Sequence, residues 1–471
     1  MSYGHPTPRV NPEDVPPLSA RGTAAAAMPH GDQPGHGPAP ALPPEEGSLN
    51  TSQMRKILAS SFLGTAIEFY DFILYATAAA VVFSHVFFTS ESHALASFFS
   101  FGTLAAGYIA RPLGGLIFGH FGDVMGRKKV LVLAMTLMGL ATVGIGLLPS
   151  TAQIGIAAPI LLVTLRVIQG LAVGGEWGGA MLVALEHAPG GKRGFAASFA
   201  NMGGPAGAVF ATLVVSAFST LPDDQFLSWG WRVPFLLSVV LLAVGLVVRL
   251  QVSETPLFQK MEAEADRRRI PALEVITKYP KNLIIGIVAG LGVYSVQGLM
   301  TVWAVSFVIE HGLDRTGVLN WKAVAATTTV IMVIISARLS DRFGRRPVML
   351  TGAVLGVVLA YPIMMLVGLH EMWAFALAIV LSNGILQGIV FGPFGAFCAE
   401  LFPTRIRYTG ASLAYQSSST FGAGFAPMIA AWLLLQSGGD LWLIGVVWAV
   451  VLALTAVAII VAKEGKGTDI S

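Results

Sequence analysis

The sequence predicts an all-α integral membrane protein with twelve transmembrane helices in two pseudo-symmetric six-helix halves. Of its 471 residues, 54% are hydrophobic and only 12% are charged, with a mean hydropathy of +0.71. Soluble domains carry about 25% charged residues, so this composition indicates a polytopic membrane protein. Apolar runs of about 20 residues, each long enough to cross a bilayer, recur along the chain. A charged loop motif occurs twice, at equivalent places in the two halves.

The predicted spans follow one another with short connections, except at the middle of the chain. There, a polar stretch containing "EAEADRRRIP" separates the sixth apolar run from the seventh. The spans are expected near residues 57–83, 96–119, 129–148, 154–184, 195–219, 232–250, 283–309, 322–340, 347–367, 372–396, 408–435 and 440–462.

Composition also predicts the domain organisation. The first residues are rich in Pro, Gly and Ala without periodicity, which is typical of a disordered tail. They contain no basic segment followed by an apolar core, so a signal peptide is not predicted. The parts are a cytoplasmic tail at 1–52, an N-terminal half at 53–250, a cytoplasmic central loop at 251–281, a C-terminal half at 282–462 and a short tail at 463–471.

The distribution of lysine and arginine predicts the orientation in the membrane. Of the 29 basic residues, Arg111 and Arg166 fall within spans, and only Arg232, Arg315 and Lys322 fall in odd-numbered connections. The others lie in even-numbered connections, the central loop and the tails. Because basic residues accumulate on the cytoplasmic side, we expect a multi-pass protein of the plasma or inner membrane with both termini in the cytoplasm.

Two loop motifs indicate an internal duplication. "GHFGDVMGRKKVLVL" at 119–133 follows the second span, and "ARLSDRFGRRPVML" at 337–350 follows the eighth. Asp123 and Asp341 occupy matching positions in these motifs. Two six-helix halves related in this way are typical of secondary transporters, whose substrate site lies between the halves near the membrane midplane. A channel is compatible with the same pattern.

Further motifs carry a family resemblance. They are "EFYDFILY", "RPLGGLIFGHFGD", "TLRVIQGLAVGGEWGGA", "FLSWGWRVPFL", "VSETPLF", "SDRFGRRPV" and "ELFPTRIRYTGASLAYQ", together with a G-x-x-x-D-x-x-G-R-[RK]-[RK] loop signature at residues 119–129. The chain therefore resembles the metabolite:proton symporters of the major facilitator superfamily, which include transporters of shikimate, α-ketoglutarate, citrate and proline/betaine. The sequences of these motifs most resemble those of the shikimate-transporting members. The resemblance implies the fold of that superfamily and proton-coupled transport.

Several ionisable residues interrupt the apolar spans. Glu68 and Asp71 lie three residues apart on the first span, and therefore on one helix face. Arg111 lies in the second span, and Arg166 and Glu176 in the fourth. A charge at the bilayer centre costs roughly 2.5–3.5 kcal/mol on the insertion scale. We therefore expect these five groups, all in the N-terminal half, to pair with one another or to face a wet cavity.

These residues suit proton-coupled binding of an anion. Glu68, Asp71 and Glu176 are candidates for the proton carrier, with an arginine as counter-charge. Burial disfavours a charged carboxylate and a nearby arginine favours it. A substrate carboxylate that occupies Arg166 would remove the counter-charge, so the acid would take up a proton. The alternative is a fixed salt bridge between the first and fourth helices; for Arg111, it is a tie between helix ends near the cytoplasmic face.

Further polar residues at cavity depth are candidates for substrate binding, in addition to Arg166 and Arg111. Hydrogen-bonding groups with aromatic neighbours suit a small hydroxylated or carboxylated metabolite. Hydrogen bonding between helices is the alternative role for each of them. The candidates are Tyr70, Tyr75 and Gln169 in the N-terminal half, and Tyr294, Gln297, Asn383, Gln387, Tyr415 and Gln416 in the C-terminal half.

The cytoplasmic connections are expected to form a gate. Asp123 with Arg127, Glu186 with Arg193, and Glu400 with Arg405 or Arg407 are predicted to pair across the inner mouth and to separate when it opens. Incidental acids among positive-inside residues are the alternative. The full set of gating candidates comprises Gly119, Asp123, Gly126, Arg127, Glu186, Arg193, Asp341, Arg345, Glu400 and Arg405. Small residues at 170–180 and 201–207 are predicted to allow close helix packing.

The function expected from these features is uptake of a small organic acid or zwitterion, such as shikimate or a dicarboxylate, by proton symport. Proton-driven efflux of a drug or metabolite is the alternative, and a third hypothesis is a sensor that binds a metabolite without carrying it. An enzyme is not expected, and neither is a metal or a cofactor other than the coupling proton. The expected partners are the substrate and the lipid bilayer, without nucleic acid or an obligate protein. Cys398 is the only cysteine and is expected to be a small packing residue.

Overall fold

The computed structural model describes residues 51–88, 93–125, 127–174, 193–251, 271–403 and 406–465. Within these ranges only the backbone is described for 51–61, 93–94, 119–131, 193–201, 248–251, 271 and 408. All regular structure in the described residues is helical, and twelve long helices confirm the predicted fold class. They are α1 (Thr51–Val81), α2 (His93–Met125), α3 (Arg127–Leu147), α4 (Ala157–Val173), α5 (Arg193–Ser219), α6 (Arg232–Gln251), α7 (Pro280–Glu310), α8 (Arg315–Phe343), α9 (Arg345–Val367), α10 (Met372–Glu400), α11 (Arg407–Ser419, continuing through Ala426–Gln436) and α12 (Trp442–Val461).

Most of these helices satisfy the requirements for a membrane span. Among the described residues, nine helices are long and apolar enough to cross a bilayer, and α3 and α4 contribute shorter apolar stretches at Val132–Leu147 and Ala157–Val173. Large apolar side chains such as Leu140, Ile160, Val358 and Trp373 are more than half exposed on the outside of the bundle. An apolar exterior around helices whose backbone groups bond internally is what a lipid environment requires.

Within the described ranges, four short segments are π-helical, so their backbone is wound more widely than in an α-helix. Phe226–Gly230 precedes α6, Leu299–Trp303 lies within α7, Val380–Leu386 within α10 and Thr420–Gly424 within α11. Each is a π-helical segment, a geometry that occurs mostly as single turns inside α-helices and often at functional sites. Three of the four lie in the C-terminal half.

The predicted start of the eighth span was wrong by seven residues. Asp314 caps α8 by accepting a hydrogen bond from the backbone N–H of Gly317 at 2.6 Å, so the helix begins at Arg315. Lys322, which was assigned to a connection, therefore lies inside α8, where it is only 3% exposed. The central loop also differs from the prediction, because Pro271–Lys278 forms a short helix whose Val275 packs against Phe402 and Ile406.

Glycines bring α2 and α4 into backbone contact, as predicted for the small residues at the end of the fourth span. A Cβ on Gly170 would overlap the carbonyl oxygen of Gly107, and one on Gly174 would overlap that of Arg111. Small residues permit such close approach of membrane helices. Gly203 and Gly207 play the same part where α5 crosses α1. These contacts set the positions of α2 and α4, which carry the buried residues Arg111 and Arg166.

The two halves meet along α5 with α8, α2 with α11, and α1 with α7. Several hydrogen bonds cross this boundary: Ser216 Oγ donates to Asn320 Oδ1 at 2.7 Å, and Thr420 Oγ1 donates to the carbonyl oxygen of Tyr108 at 2.9 Å. We call the end of the bundle that carries the connection between α7 and α8 the odd-connection end. There, Arg315 Nη1 lies 2.8 Å from Asp223 Oδ1, and so joins α8 to the start of the α6 region.

Candidate functional site

The two acids of α1 are buried, as predicted. Glu68 is 4% exposed and Asp71 is 3% exposed. Ser238 on α6 donates its hydroxyl hydrogen to Asp71 Oδ1 at 2.6 Å. Glu68 lies close enough to Tyr415 of α11 to interact with it electrostatically, so this acid is at the boundary between the halves. The shared face of α1 thus presents one carboxylate to α6 and the other toward the opposite half.

Arg166 is completely buried and has unused hydrogen-bonding capacity. Its Nη1 donates to Gln169 Oε1 at 3.1 Å, whereas Nε and Nη2 have no hydrogen-bond partner among the described residues. The guanidinium carbon lies 4.0 Å from the ring centroids of both Phe72 and Tyr75. Aromatic faces stabilise a cation electrostatically, but they accept no N–H···O bond. Two donor nitrogens of Arg166, Nε and Nη2, are therefore left for a ligand.

Gly107 provides the space for this arginine. A Cβ at position 107 would overlap Arg166 Nε and would lie 2.8 Å from its Cδ and Cγ. The missing side chain on α2 thus determines where the guanidinium of α4 lies. Gly107 was not among the residues that the sequence analysis singled out, and nothing in its sequence neighbourhood indicated which side chain it accommodates.

A chain of polar groups leads from Arg166 to Asp71. Gln169 Nε2 donates to Thr142 Oγ1 at 2.8 Å. The Thr142 hydroxyl donates to the Met138 carbonyl oxygen at 2.9 Å and lies near the Asp71 carboxylate, with which it interacts. Since a hydroxyl has only one hydrogen, Thr142 would have to release Met138 to donate to Asp71.

This arrangement differs from the predicted direct counter-charge. Arg166 and Asp71, both fully described, form no ion pair, because the aromatic rings of α1 occupy the sides of the guanidinium and an amide and a hydroxyl lie between the two charges. Sequence reasoning missed Thr142 and Ser238. Their signal was a hydroxyl within an apolar run: Thr142 is one of two threonines in α3, and Ser238 is the single hydroxyl residue of α6.

Arg111 belongs to the same cluster. It is 4% exposed, and its guanidinium carbon lies 3.8 Å from the Phe72 centroid and 4.6 Å from that of Tyr108. Phe72 is therefore in contact with two arginines. The alternative role of Arg111, a tie between helix ends, does not describe this position, because its side chain points into the group that surrounds Arg166.

The two tyrosines of α1 have different environments. Tyr75 contacts Arg166 with its ring, while its hydroxyl donates to Thr103 Oγ1 at 2.7 Å. Tyr70 donates to the carbonyl oxygen of Pro234 at 2.9 Å and packs against Phe210. Tyr75 therefore joins the arginine cluster, and Tyr70 lies between α1, α5 and α6.

The candidate residues of the C-terminal half are brought together in neutral pairs. Tyr294 and Tyr415 meet edge to face with ring centroids 5.4 Å apart. Asn383 Nδ2 donates to Gln387 Oε1 on the next turn of α10. Gln416 is 3% exposed, and its Oε1 lacks a hydrogen-bond partner among the described residues, while Gln297 is half-buried. This side of the boundary therefore offers amides and phenols.

Lys322 is a buried charge that the sequence analysis missed. It extends from α8 toward α1, where its Nζ donates to Thr77 Oγ1 at 2.7 Å. The prediction that all deep ionisable groups come from the N-terminal half was therefore wrong. Its proximity to the predicted start of the span made Lys322 look like an end residue, and only the early cap at Asp314 places it inside.

The described part of the predicted inner gate is an ion-pair cluster in the C-terminal half. Arg345 Nη1 lies 2.6 Å from Asp341 Oδ1, and Nε lies 3.3 Å from Glu400 Oε1. Glu400 thus pairs with Arg345, which α9 brings to the end of α10, and this pair was not among those predicted; the predicted partner Arg405 lies outside the described residues. Glu464 accepts the backbone N–H groups of Arg345 and Arg346 at 2.9 and 3.0 Å.

Other predicted residues cannot be placed in this way. Glu176, Gly126, Glu186 and Arg405 lie outside the described residues, and the side chains of Asp123, Arg127 and Arg193, and the surroundings of Gly119, lie outside as well. Their predicted roles remain predictions. Cys398 is buried, as expected of a packing residue.

Comparison with known proteins shows the family to which this chain belongs. The model of the Major Facilitator Superfamily matches residues 61–419 and 323–468. The chain is 42% identical over 418 residues to the inner membrane metabolite transport protein YhjE of Escherichia coli K12, covering 87% of this chain and 94% of that protein. It is 40% identical to the shikimate transporter of the same organism, covering 84% and 92% of the two chains.

More distant relatives and a solved structure extend the comparison. The proline/betaine transporter of E. coli K12 is 34% identical, over 83% of this chain and 79% of that protein. The crystal structure of a D-xylose-proton symporter has the same fold, with a TM-score of 0.71 at 18% identity, and the match covers 88% of this chain and 99% of the symporter.

Proposed function

Because this chain belongs to the major facilitator superfamily, we propose that it imports a small carboxylate-bearing metabolite together with a proton, by alternating access of its two halves. It is a multi-pass membrane protein whose relatives are transporters rather than enzymes. The proposal places it in the inner or plasma membrane with both termini in the cytoplasm, in agreement with the distribution of basic residues.

The observation that carries this proposal is the unused donor capacity of Arg166. A wholly buried guanidinium with two unpartnered nitrogens is a costly arrangement unless an acceptor binds there in some state of the protein. Arginine presents its donors in a planar fork that matches a carboxylate in two places, and it does not deprotonate. Free carboxylates and zwitterions both offer this group, and relatives named for shikimate and for proline/betaine transport carry such substrates.

The polar chain between Arg166 and Asp71 supports coupling to a proton. Arg166 and Asp71 are not in contact, so the coupling we propose runs through Gln169, which bonds to both Arg166 and Thr142, and through Thr142, which lies near Asp71. A substrate carboxylate at Arg166 would cancel the positive charge at that end of the path, so Asp71 in its buried setting would bind a proton more readily. By linkage, protonation of Asp71 equally strengthens binding of the anion.

The C-terminal half supplies the groups that select the substrate. Asn383, Gln387 and Gln416 offer donors and acceptors without charge, and the rings of Tyr294 and Tyr415 form a rigid edge. A few placed polar groups among apolar and aromatic walls suit a small hydroxylated metabolite. The carboxylate would therefore be held by the N-terminal half and the remainder of the molecule by the C-terminal half.

Uptake into proteoliposomes tests this function. The purified full chain is reconstituted, and accumulation of labelled shikimate, α-ketoglutarate, proline and glycine betaine is measured with an imposed pH gradient, acid outside. We expect at least one of these compounds to accumulate, and a protonophore to abolish the accumulation. The fully esterified form of the accumulated compound, which lacks a carboxylate, and liposomes without protein serve as controls.

Accumulation that persists after the protonophore would contradict proton symport. Loss of preloaded substrate driven by acid outside would favour the alternative of proton-driven efflux. Equal uptake of the acid and its ester would contradict the role assigned to Arg166.

A further inference from the structure

Lys322 is a buried cation at the boundary between the halves, distant in sequence from the arginine cluster. It is 3% exposed, and its Nζ lies 2.7 Å from Thr77 Oγ1, a wholly buried hydroxyl of α1. That hydroxyl donates its own hydrogen to the Ile73 carbonyl oxygen at 2.8 Å, so it can only accept from the lysine. The contact is therefore a single hydrogen bond between an ammonium group and a neutral acceptor.

This environment does not satisfy the charge. An ammonium group has three N–H donors, and among the described residues only the bond to Thr77 uses one of them. No described carboxylate forms an ion pair with Lys322. Three described acids near this end of the bundle have other partners: Glu310 accepts from Ser97 and Ser306, Asp314 caps α8 and Asp223 pairs with Arg315.

An unpaired buried cation is expensive, and an apolar side chain of similar length would be more stable at this place. The position of Lys322 indicates when an anion can reach it. The odd-connection end is held shut by contacts between the halves, including Ser97 with Glu310 at 2.9 Å and Ser219 with Thr316 at 2.9 Å. Alternating access requires the halves to separate there, which breaks the Lys322–Thr77 bond and exposes the ammonium group to the opened cavity.

We propose that Lys322 is a second anion-binding group of the transport path. Thr77 holds it while the odd-connection end is closed, and the carboxylate of the metabolite replaces Thr77 when that end is open. This inference rests on the proposed transport function and deepens it, since it assigns a cation of the C-terminal half to the same substrate class. It also implies that uncharged analogues gain nothing from Lys322.

The test compares Lys322→Met with Thr77→Val in the purified full chain. Both variants remove the bond between α1 and α8, but only the first removes the cation. Because Cys398 is the only cysteine and is buried, a thiol-reactive fluorogenic dye reports thermal unfolding. The midpoint is followed against increasing shikimate, α-ketoglutarate, citrate and glycine betaine, with methyl shikimate as the uncharged control.

We expect at least one carboxylate to stabilise the native chain and Thr77→Val at similar concentrations. Lys322→Met should require about tenfold more ligand or greater, the loss typical of a hydrogen bond to a charged group, and Lys322→Arg should be intermediate. Each midpoint shift is taken relative to the same variant without ligand, so a change in basal stability does not affect the result.

Equal ligand dependence of the native chain and Lys322→Met would overturn the inference, and so would the absence of stabilisation by any of the four carboxylates. A similar loss in Thr77→Val and Lys322→Met would assign the lysine a purely structural role. The proposed function fails separately: if uptake is absent while stabilisation still depends on Lys322, the anion site stands and the transport claim falls.

Discussion

The two halves of the bundle share one architecture but line their common boundary with different chemistry. In the N-terminal half, Asp71, Arg111 and Arg166 are at most 4% exposed. In the C-terminal half, amides and phenols lie at comparable depth, and the buried cation Lys322, which donates to Thr77 of the other half, lies toward the odd-connection end. A duplicated fold can therefore separate proton and anion binding from substrate selection, because a change of charge in one half need not alter the shape of the cavity wall in the other.

The largest expected effect is that of Asp71→Asn, which removes a proton site with little change in volume. Uphill accumulation should disappear while exchange of substrate down its own gradient continues, because the cavity still alternates but the pH gradient has no group to protonate. At −100 mV each translocated charge corresponds to about 2.3 kcal/mol, roughly fiftyfold in concentration. Accumulation and counterflow in proteoliposomes measure the two quantities.

Ser238→Ala is the matched control, because it removes the 2.6 Å hydrogen bond to Asp71 but keeps the acid. This variant should still accumulate substrate. Normal accumulation by Asp71→Asn would show that the buried acid is structural, and the contrast between the halves would then lose its basis.

Arg166→Lys is the next test of the N-terminal half. Lysine keeps the charge but lacks the planar fork, so the concentration of carboxylate substrate that gives half-maximal uptake should rise about tenfold to a hundredfold. Arg232→Lys provides the control. Arg232, at the start of α6, donates hydrogen bonds to the backbone carbonyl oxygens of Gly146 and Leu148. A similar rise in both variants would point to a general packing defect.

Gly107→Ala tests the position of the arginine without altering its charge. The added Cβ would overlap Arg166 Nε, whereas a Cβ at Gly102 on the same helix would meet no atom within 4 Å. We expect Gly107→Ala to lower the affinity for the carboxylate by about tenfold, the scale of one weakened charged hydrogen bond, and Gly102→Ala to have little effect. Equal affinities in the two variants would mean that Arg166 tolerates displacement.

Gln387→Ala sharpens the comparison from the C-terminal side. It removes the acceptor for Asn383. The ratio of affinities for two hydroxylated substrates should therefore change by up to about tenfold, as expected when a polar group in a site loses its partner. The maximal accumulation ratio at a fixed pH gradient should stay the same. A fall in that ratio would place part of the proton coupling in the C-terminal half.

The smallest effect is expected at the odd-connection end, where the rings of His311 and His370 stack with centroids 4.5 Å apart. Burial and, to a smaller extent, repulsion from His311 hold the pKa of His370 below its usual range. The folded protein therefore binds this proton less readily than the unfolded chain. Stability is fully present above about pH 6.5 and declines as the pH falls through that value.

His370→Asn should therefore reduce the fall in melting temperature between about pH 7.5 and pH 5.5. His370 is only slightly buried and is largely exposed to solvent, so the change in melting temperature should be small. An identical pH dependence in the native chain and in this variant would show that the histidine pair has no influence on stability.

The sequence was sufficient to predict the elements that depend on composition. Twelve apolar runs, two repeated motifs and the small residues between α2 and α4 are local patterns. The twelve long helices and the close packing at Gly170 and Gly174 match them, although α8 begins seven residues earlier than expected. Burial of Glu68, Asp71 and Arg166 also followed from their place inside apolar runs, since a span of about 20 residues leaves no other location.

What could not be predicted depends on which side chains meet. A direct pair between Arg166 and a carboxylate was reasonable, but Phe72 and Tyr75 occupy the faces of the guanidinium, and Gln169 and Thr142 lie between the charges. Lys322 was missed because one capping residue, Asp314, lengthened α8 by two turns. The pair of Glu400 with Arg345 was not predicted, because contact between α9 and α10 has no signal in a single sequence.

The wide turn at Val380–Leu386 has a mechanical consequence for α10. Such a turn is an α-helix that contains a surplus residue, and each residue of an α-helix accounts for about 100° of rotation. This segment contains Asn383 and ends next to Gln387. If it tightened into regular α-helix, the part of α10 beyond it would rotate as a unit and turn Gln387 away from its present direction, while the hydrogen-bond ladder elsewhere in the helix stayed intact. The register of α10 would then determine which of its side chains face the cavity, without any change in the number of membrane spans.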